Sequence, residues 1–135
     1  MGGWTAAAGM TRLWSLLRGH DYGPVGLMLA LSEFTFGAWL LLPTSQSTRF
    51  YQVLEANAYS PRLRACSHIV VAVACFTATL YGPRFMRWPF LASAFLWMTS
   101  LVMYAVALPN TPAIYQWSVF VVAALWVAIR SGSDA

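Results

Sequence analysis

The sequence predicts an all-α membrane protein, with four transmembrane helices in an antiparallel up-down bundle and two shorter interfacial helices. Three observations predict it. Four apolar stretches, at 22–43, 64–81, 88–108 and 112–129, are each about long enough to cross a bilayer, whose hydrocarbon core of ~30 Å takes ~20 mostly apolar residues in a helix. The composition is 59% hydrophobic and 9% charged, with a mean hydropathy of +0.60. The connections between the second and third spans and between the third and fourth are short, so each of those pairs must pack as an antiparallel hairpin. Together these pieces use up the 135 residues as a single transmembrane domain. No remaining segment is large enough to bury a core of its own.

Residues 4–20 read as an interfacial helix. Trp4, Met10, Leu13, Trp14 and Leu17 recur near helical spacing, with Arg12 and Arg18 on another part of the wheel, a pattern suited to lying flat among head groups. Gly19-His20-Asp21 breaks it. Gly23-Pro24 then opens the first span, where a missing N–H is harmless. This span ends at Pro43 and is expected to be retained, since no small-residue cleavage site follows it.

The Ser/Thr-rich turn 44–48 caps a second, shorter interfacial helix expected over 47–60. In it Phe50, Val53 and Leu54 form one stripe and Arg49, Gln52 and Glu55 stay polar, with Ser60-Pro61 as its end. The second span is expected to begin at Arg64 and to stop at Gly82-Pro83. The connection 82–87 makes a hairpin with the third span, as Pro109-Asn110-Thr111-Pro112 does between the third and the fourth. A polar tail, 130–135, closes the chain.

The formal net charge of +4 comes from arginine alone. These arginines are read as lying at or beyond helix ends, where they snorkel to phosphate head groups. They are not gathered on one face as nucleic-acid binding requires, so no nucleic-acid partner is expected. The interfacial anchors predicted this way are Trp4, Arg12, Trp14, Arg18, Arg84, Arg87, Trp88 and Arg130. With four spans, both termini share a side with the 82–87 connection. That side carries Arg12, Arg18, Arg84, Arg87 and Arg130, against Arg49, Arg62 and Arg64 opposite. The excess favours both termini in the cytoplasm.

Cys66 and Cys75 share a predicted helix and fall on opposite faces, so they cannot pair with each other. They supply too few ligands for a metal. Haem ligation lacks a second intramembrane histidine, and no cofactor is expected. Paired acids, glycine-rich phosphate loops and HExxH are absent, which argues against an enzyme.

Glu33 is the leading site candidate. It lies near the middle of the first span beside Ser32 and Thr35, where a carboxylate costs ~2.5–3.5 kcal/mol on insertion scales. It must be protonated, hydrated or paired. Partners at similar depth are Thr77 and Thr79 on the second span and Thr99 and Ser100 on the third. His68, about one turn inside the second span, approaches Glu33 if the two spans are adjacent. Such a group serves either as a proton- or cation-responsive site or as a hydrogen-bonded packing contact between helices. Small residues four apart, Gly26 with Ala30 and Ala74 with Ala78, offer faces for close helix approach.

From Gly37 onward the chain resembles a family of small four-span membrane proteins of tailed bacteriophages. The resemblance is carried by Gly37-Ala38-Trp39-Leu40-Leu41-Leu42-Pro43 running into the Ser/Thr turn, by an aromatic at Tyr51, and by Ser93-Ala94-Phe95-Leu96-Trp97. Asn110-Thr111-Pro112 with Tyr115, and 126–130, complete it. It implies phage origin, a place in a bacterial inner membrane and a holin-like role, with no catalytic residue. The leading expectation is therefore a membrane protein that self-associates as a homo-oligomer and perturbs the bilayer. The alternatives are a non-catalytic subunit or inhibitor docked on a partner membrane protein, and a small proton or cation channel or transporter built around Glu33.

Overall fold

The computed structural model describes residues 5–56, 60–107, 110 and 112–134. Six α-helices run α1 Ala6–Gly19, α2 Tyr22–Leu41, α3 Arg49–Ala56, α4 Pro61–Tyr81, α5 Pro83–Ala107 and α6 Ala113–Ser133, with a 3-10 turn at Pro43–Ser47. Among the described residues there is no strand. Four of the helices, α2, α4, α5 and α6, are long and apolar enough to cross a membrane.

These four close into a ring in which α2 packs on α4, α4 on α5, α5 on α6 and α6 on α2. Neighbours run antiparallel. Gly26 of α2 lies against Thr79 near the end of α4, whereas Gly37 lies against Ala65 near its start. Likewise Gly132 of α6 lies beside Arg87 of α5, and Phe120 beside Trp97. The reversal from α4 to α5 takes one residue, Gly82, at φ 119° and ψ 175°, a region open essentially only to glycine.

The exterior is apolar. Met28, Leu31, Phe34, Val70, Val73, Phe76, Phe95, Val102, Val119, Val122 and Ile129 all face outward, while Glu33, His68, Thr79, Ser93 and Ser100 are buried. A bundle with its polar groups inside and its hydrocarbon outside suits lipid, where backbone and polar groups must satisfy one another within the protein.

Several boundaries differ from the sequence reading. The second span begins at Pro61 rather than Arg64, because Ser60 accepts a hydrogen bond from the Leu63 N–H and Pro61 occupies the first helical turn. The third begins at Pro83 rather than Trp88, so most of the expected 82–87 connection is helical. Pro89 within α5 removes one backbone bond, a loss that membrane helices tolerate. The expected tail is helical through Ser133. The first span stops at Leu41, and the second interfacial helix is shorter than expected, with Thr48 Oγ1 accepting from the Tyr51 N–H at its start. Within that helix Tyr51 and Leu54 are buried against Leu40 and Ala65, over the end of the bundle at which α4 starts. At the opposite end α1 packs on α2 and α4. There Arg12 donates to the Tyr81 carbonyl at 3.2 Å, which sets a cation at the C-terminus of α4.

Candidate functional site

The polar residues buried in the bundle form one connected chain. Glu33 projects from α2 into the centre and has no solvent exposure, and neither has His68 from α4. Glu33 Oε1 lies 2.7 Å from His68 Nδ1. The second carboxyl oxygen, Oε2, accepts from Ser93 Oγ of α5 at 2.5 Å. On the other side of the imidazole, Nε2 lies 3.4 Å from Ser100 Oγ. Ser100 in turn accepts from Arg64, through Nε at 3.1 Å and also through Nη2. Arg64 Nη2 reaches Thr99 Oγ1 at 2.6 Å and the Leu96 carbonyl at 3.0 Å. Arg64 is part-buried, and its side chain links α4 to α5.

Hydrogen-bond chemistry gives this chain a direction. With Glu33 as a carboxylate, which only accepts, Nδ1 carries the hydrogen toward Glu33 and Nε2 is the acceptor facing Ser100. The Ser100 hydroxyl, with its oxygen lone pairs taken by Arg64, points its hydrogen at Nε2. Every donor from Arg64 to His68, and Ser93 from the far side, thus leads to Glu33. In that form Arg64 and Glu33 carry opposite charges on the two sides of the imidazole.

Aromatic rings wall the histidine. Phe36 meets it edge-on at 4.9 Å between centroids, and Trp97 at 5.4 Å. Trp117 packs against Trp97 at 5.9 Å and Phe120 at 4.9 Å. This wall keeps the surroundings of the pair dry and strengthens its electrostatics. Trp97 is buried, and among the described residues its Nε1 has no hydrogen-bond partner.

Glu33–His68–Ser100 has the connectivity of an acid, a base and a hydroxyl nucleophile. Ser100 is nevertheless fully buried, and Arg64 occupies its oxygen. Among the described residues no three His, Cys, Asp or Glu side chains gather as metal ligands.

Of the residues singled out in the sequence, the structure unites Glu33, His68, Ser100 and Thr99. Ser32, Thr35 and Thr77 lie outside the chain. Ser32 and Thr35 donate to carbonyls of their own helix, Met28 and Leu31, because residues adjacent to Glu33 point to other sectors of the wheel. Thr77 faces outward, and Thr79 is buried but bonds to the Cys75 carbonyl. Ser93 and Arg64 are the members that sequence reasoning missed. Ser93 sits two turns before Ser100 on one face of α5, a spacing that was visible. Arg64 became an internal residue once the Ser60-Pro61 pair was recognised as a helix start.

Among the expected anchors, Trp4 lies outside the described residues, as does the Arg18 side chain. Arg84, Arg87 and Trp88 are exposed at the start of α5, and Trp14 is exposed on α1. Arg130 faces Asp21 at 3.8 Å and His20 faces Asp134 at 3.7 Å. These exposed pairs between α6 and the start of α2 contribute little energy. No protein-family model matches the chain, and neither a curated protein nor a solved structure shows a significant match to it.

Proposed function

We propose that this is an integral membrane protein that takes up and releases a proton at the buried Glu33–His68 pair, exchanging it with the side on which Arg64 lies. The observation that carries this reading is the run of hydrogen-bonding groups from Ser100 through His68 to Glu33. Arg64 stays charged and holds the Ser100 oxygen at its outer end, and Ser100 takes a proton from water on that side as it passes its own to Nε2. An imidazole bonded on both nitrogens accepts a proton at Nε2 and releases one from Nδ1, so charge moves while heavy atoms stay in place. Glu33 receives it, and the carboxyl then donates where it formerly accepted. Intramembrane ionisable residues that face the interior of a bundle mark such relays.

Beyond Ser93 the run ends against Phe90, Met86, Leu29 and Cys75. Passage to the opposite side therefore requires the Met86–Phe90 turn to move. The arginine distribution supports a bacterial inner-membrane orientation with both termini cytoplasmic. With Arg64 withdrawn into the bundle, Arg49 and Arg62 oppose five arginines at the other end, and Arg64 opens toward the non-cytoplasmic side.

Infrared difference spectroscopy on reconstituted protein tests the reading. Stepping the external pH should raise and remove a carboxyl band that Glu33→Gln abolishes, with the same elution volume in detergent. Absence of any such band in the wild type, or its persistence in Glu33→Gln, sinks the proposal. Bacteriophage origin, holin-like self-association and docking on a partner rest on the sequence resemblance and composition. A multi-copy lesion needs a polar outer stripe; away from the arginines near the helix ends the outward polar groups on the spans are Thr35, Cys66, Thr77 and Gln116 among the described residues, and Thr35 bonds to its own helix.

A further inference from the structure

The end of the bundle remote from Arg64 carries a groove of about 220 Å³ between α5 and α6, lined by Arg87, Leu91, Ala128, Ile129 and Gly132. Gly132 makes room for the stem of Arg87, since a Cβ there would meet Arg87 Cδ at 3.3 Å. The Arg87 guanidinium is exposed and lies 5.5 Å from the centre of the Trp88 ring. Among the described residues it has no hydrogen-bond acceptor and no carboxylate. Arg84, about one turn earlier, likewise stacks only on Phe85, at 4.6 Å. Their neighbours at this end are engaged: Arg130 faces Asp21, and Arg12 donates to the Tyr81 carbonyl. Arg87 thus lines an otherwise hydrocarbon slot at the level where four apolar helices end, and the spacing of Arg84, Arg87 and Leu91 puts Arg84 on the same face of α5.

We propose that this groove binds one anionic phospholipid, with its phosphate on Arg87 and Arg84 and an acyl chain along Leu91 and Ile129. A guanidinium presents paired N–H groups that match phosphate geometry, and the apolar floor is complementary to a methylene chain. The second cation selects a head group with net negative charge over a zwitterionic one. The site is separate from the Glu33–His68 chain, so its occupancy is independent of the proton-exchange reading.

The test is thermal unfolding of the purified protein in detergent with added phosphatidylglycerol or phosphatidylcholine of matched chains. Phosphatidylglycerol should raise the midpoint by several degrees more than phosphatidylcholine. Arg87→Gln and Gly132→Leu should each erase that difference, and Arg62→Gln at the far end should keep it. Equal stabilisation by the two lipids overturns the proposal, as does an undiminished preference in Arg87→Gln. Stabilisation by inorganic phosphate alone as strong as that by phosphatidylglycerol overturns it too. Where Gly132→Leu melts early without lipid, lipid retained in native mass spectra decides: Arg87→Lys should keep it and Arg87→Gln should lose it, and equal retention overturns the assignment.

Discussion

Around Gly26, α2 meets α4 and α5 through rings and small side chains. About three turns further along the same helix, around Gly37, it meets them through hydrogen bonds. The first region packs Tyr22, Leu29, Ala30, Cys75, Ala78, Met86 and Phe90, with Thr79 bonded to its own helix. The second holds Glu33, His68, Ser93, Ser100 and Arg64 in mutual contact. In lipid, where tails are as apolar as leucine, side-chain packing gives shape complementarity rather than a driving force, and interhelical polar bonds fix partner and register. The two glycines reflect this. A Cβ at Gly26 would touch the tips of Phe90 and Met86 at 3.1 and 3.2 Å, which can swing. At Gly37 it would meet the Ala65 backbone carbonyl and Ile69 Cγ1, both at 2.9 Å, and a carbonyl cannot swing.

Substitutions that break this contrast run from large effects to small. Gly37→Leu should be the most damaging, because α2 and α4 must part and the Glu33–His68 bond breaks with them. Overpacking of this kind costs about 1–3 kcal/mol before the lost bond is added. Gly26→Ala should change the midpoint of detergent unfolding far less, and comparable losses at the two glycines would erase the distinction between the regions. Next is His68→Phe, which leaves Glu33 and Ser100 without their central partner at a cost of about 1–3 kcal/mol. Adding Glu33→Leu should restore part of that stability without restoring the pH-dependent carboxyl band, since no buried carboxyl is then left without its partner. A double variant as unstable as the sum of its parts would argue that shape, not hydrogen bonding, holds this end.

Ser100→Ala should cost only about 0.6 kcal/mol, a typical value for a polar contact between membrane helices. Its proton exchange should nevertheless slow markedly, read as the rate of the infrared change after a pH jump. An unchanged rate would remove Ser100 from the path. Thr35→Val should leave both stability and rate untouched.

The four spans were legible because length and apolarity are summed over many residues, so no single position decides them. Glu33 stood out for the same reason in reverse, as one carboxyl in a hydrocarbon run. What the chain hid was angular. Ser32 and Thr35 are close to Glu33 in sequence, but neighbours on a helix diverge by ~100°, and both turn back to their own backbone. Ser93 is remote in sequence and reaches Glu33 because α5 stands diagonally across the ring from α2. Arg64 was obscured by a boundary, since moving the start of α4 to Pro61 carries a guanidinium from the surface into the bundle. Helix ends depend on caps of one or two residues, whereas spans depend on twenty.

Gly82 leaves almost no slack between α4 and α5. With a single residue at the reversal, α4 cannot slide along α5 without tearing Arg64 from Ser100 and Thr99, so the two helices form one stiff calliper. So short a hinge keeps the two arms in register, and with them Arg64 against the hydroxyls that shield it.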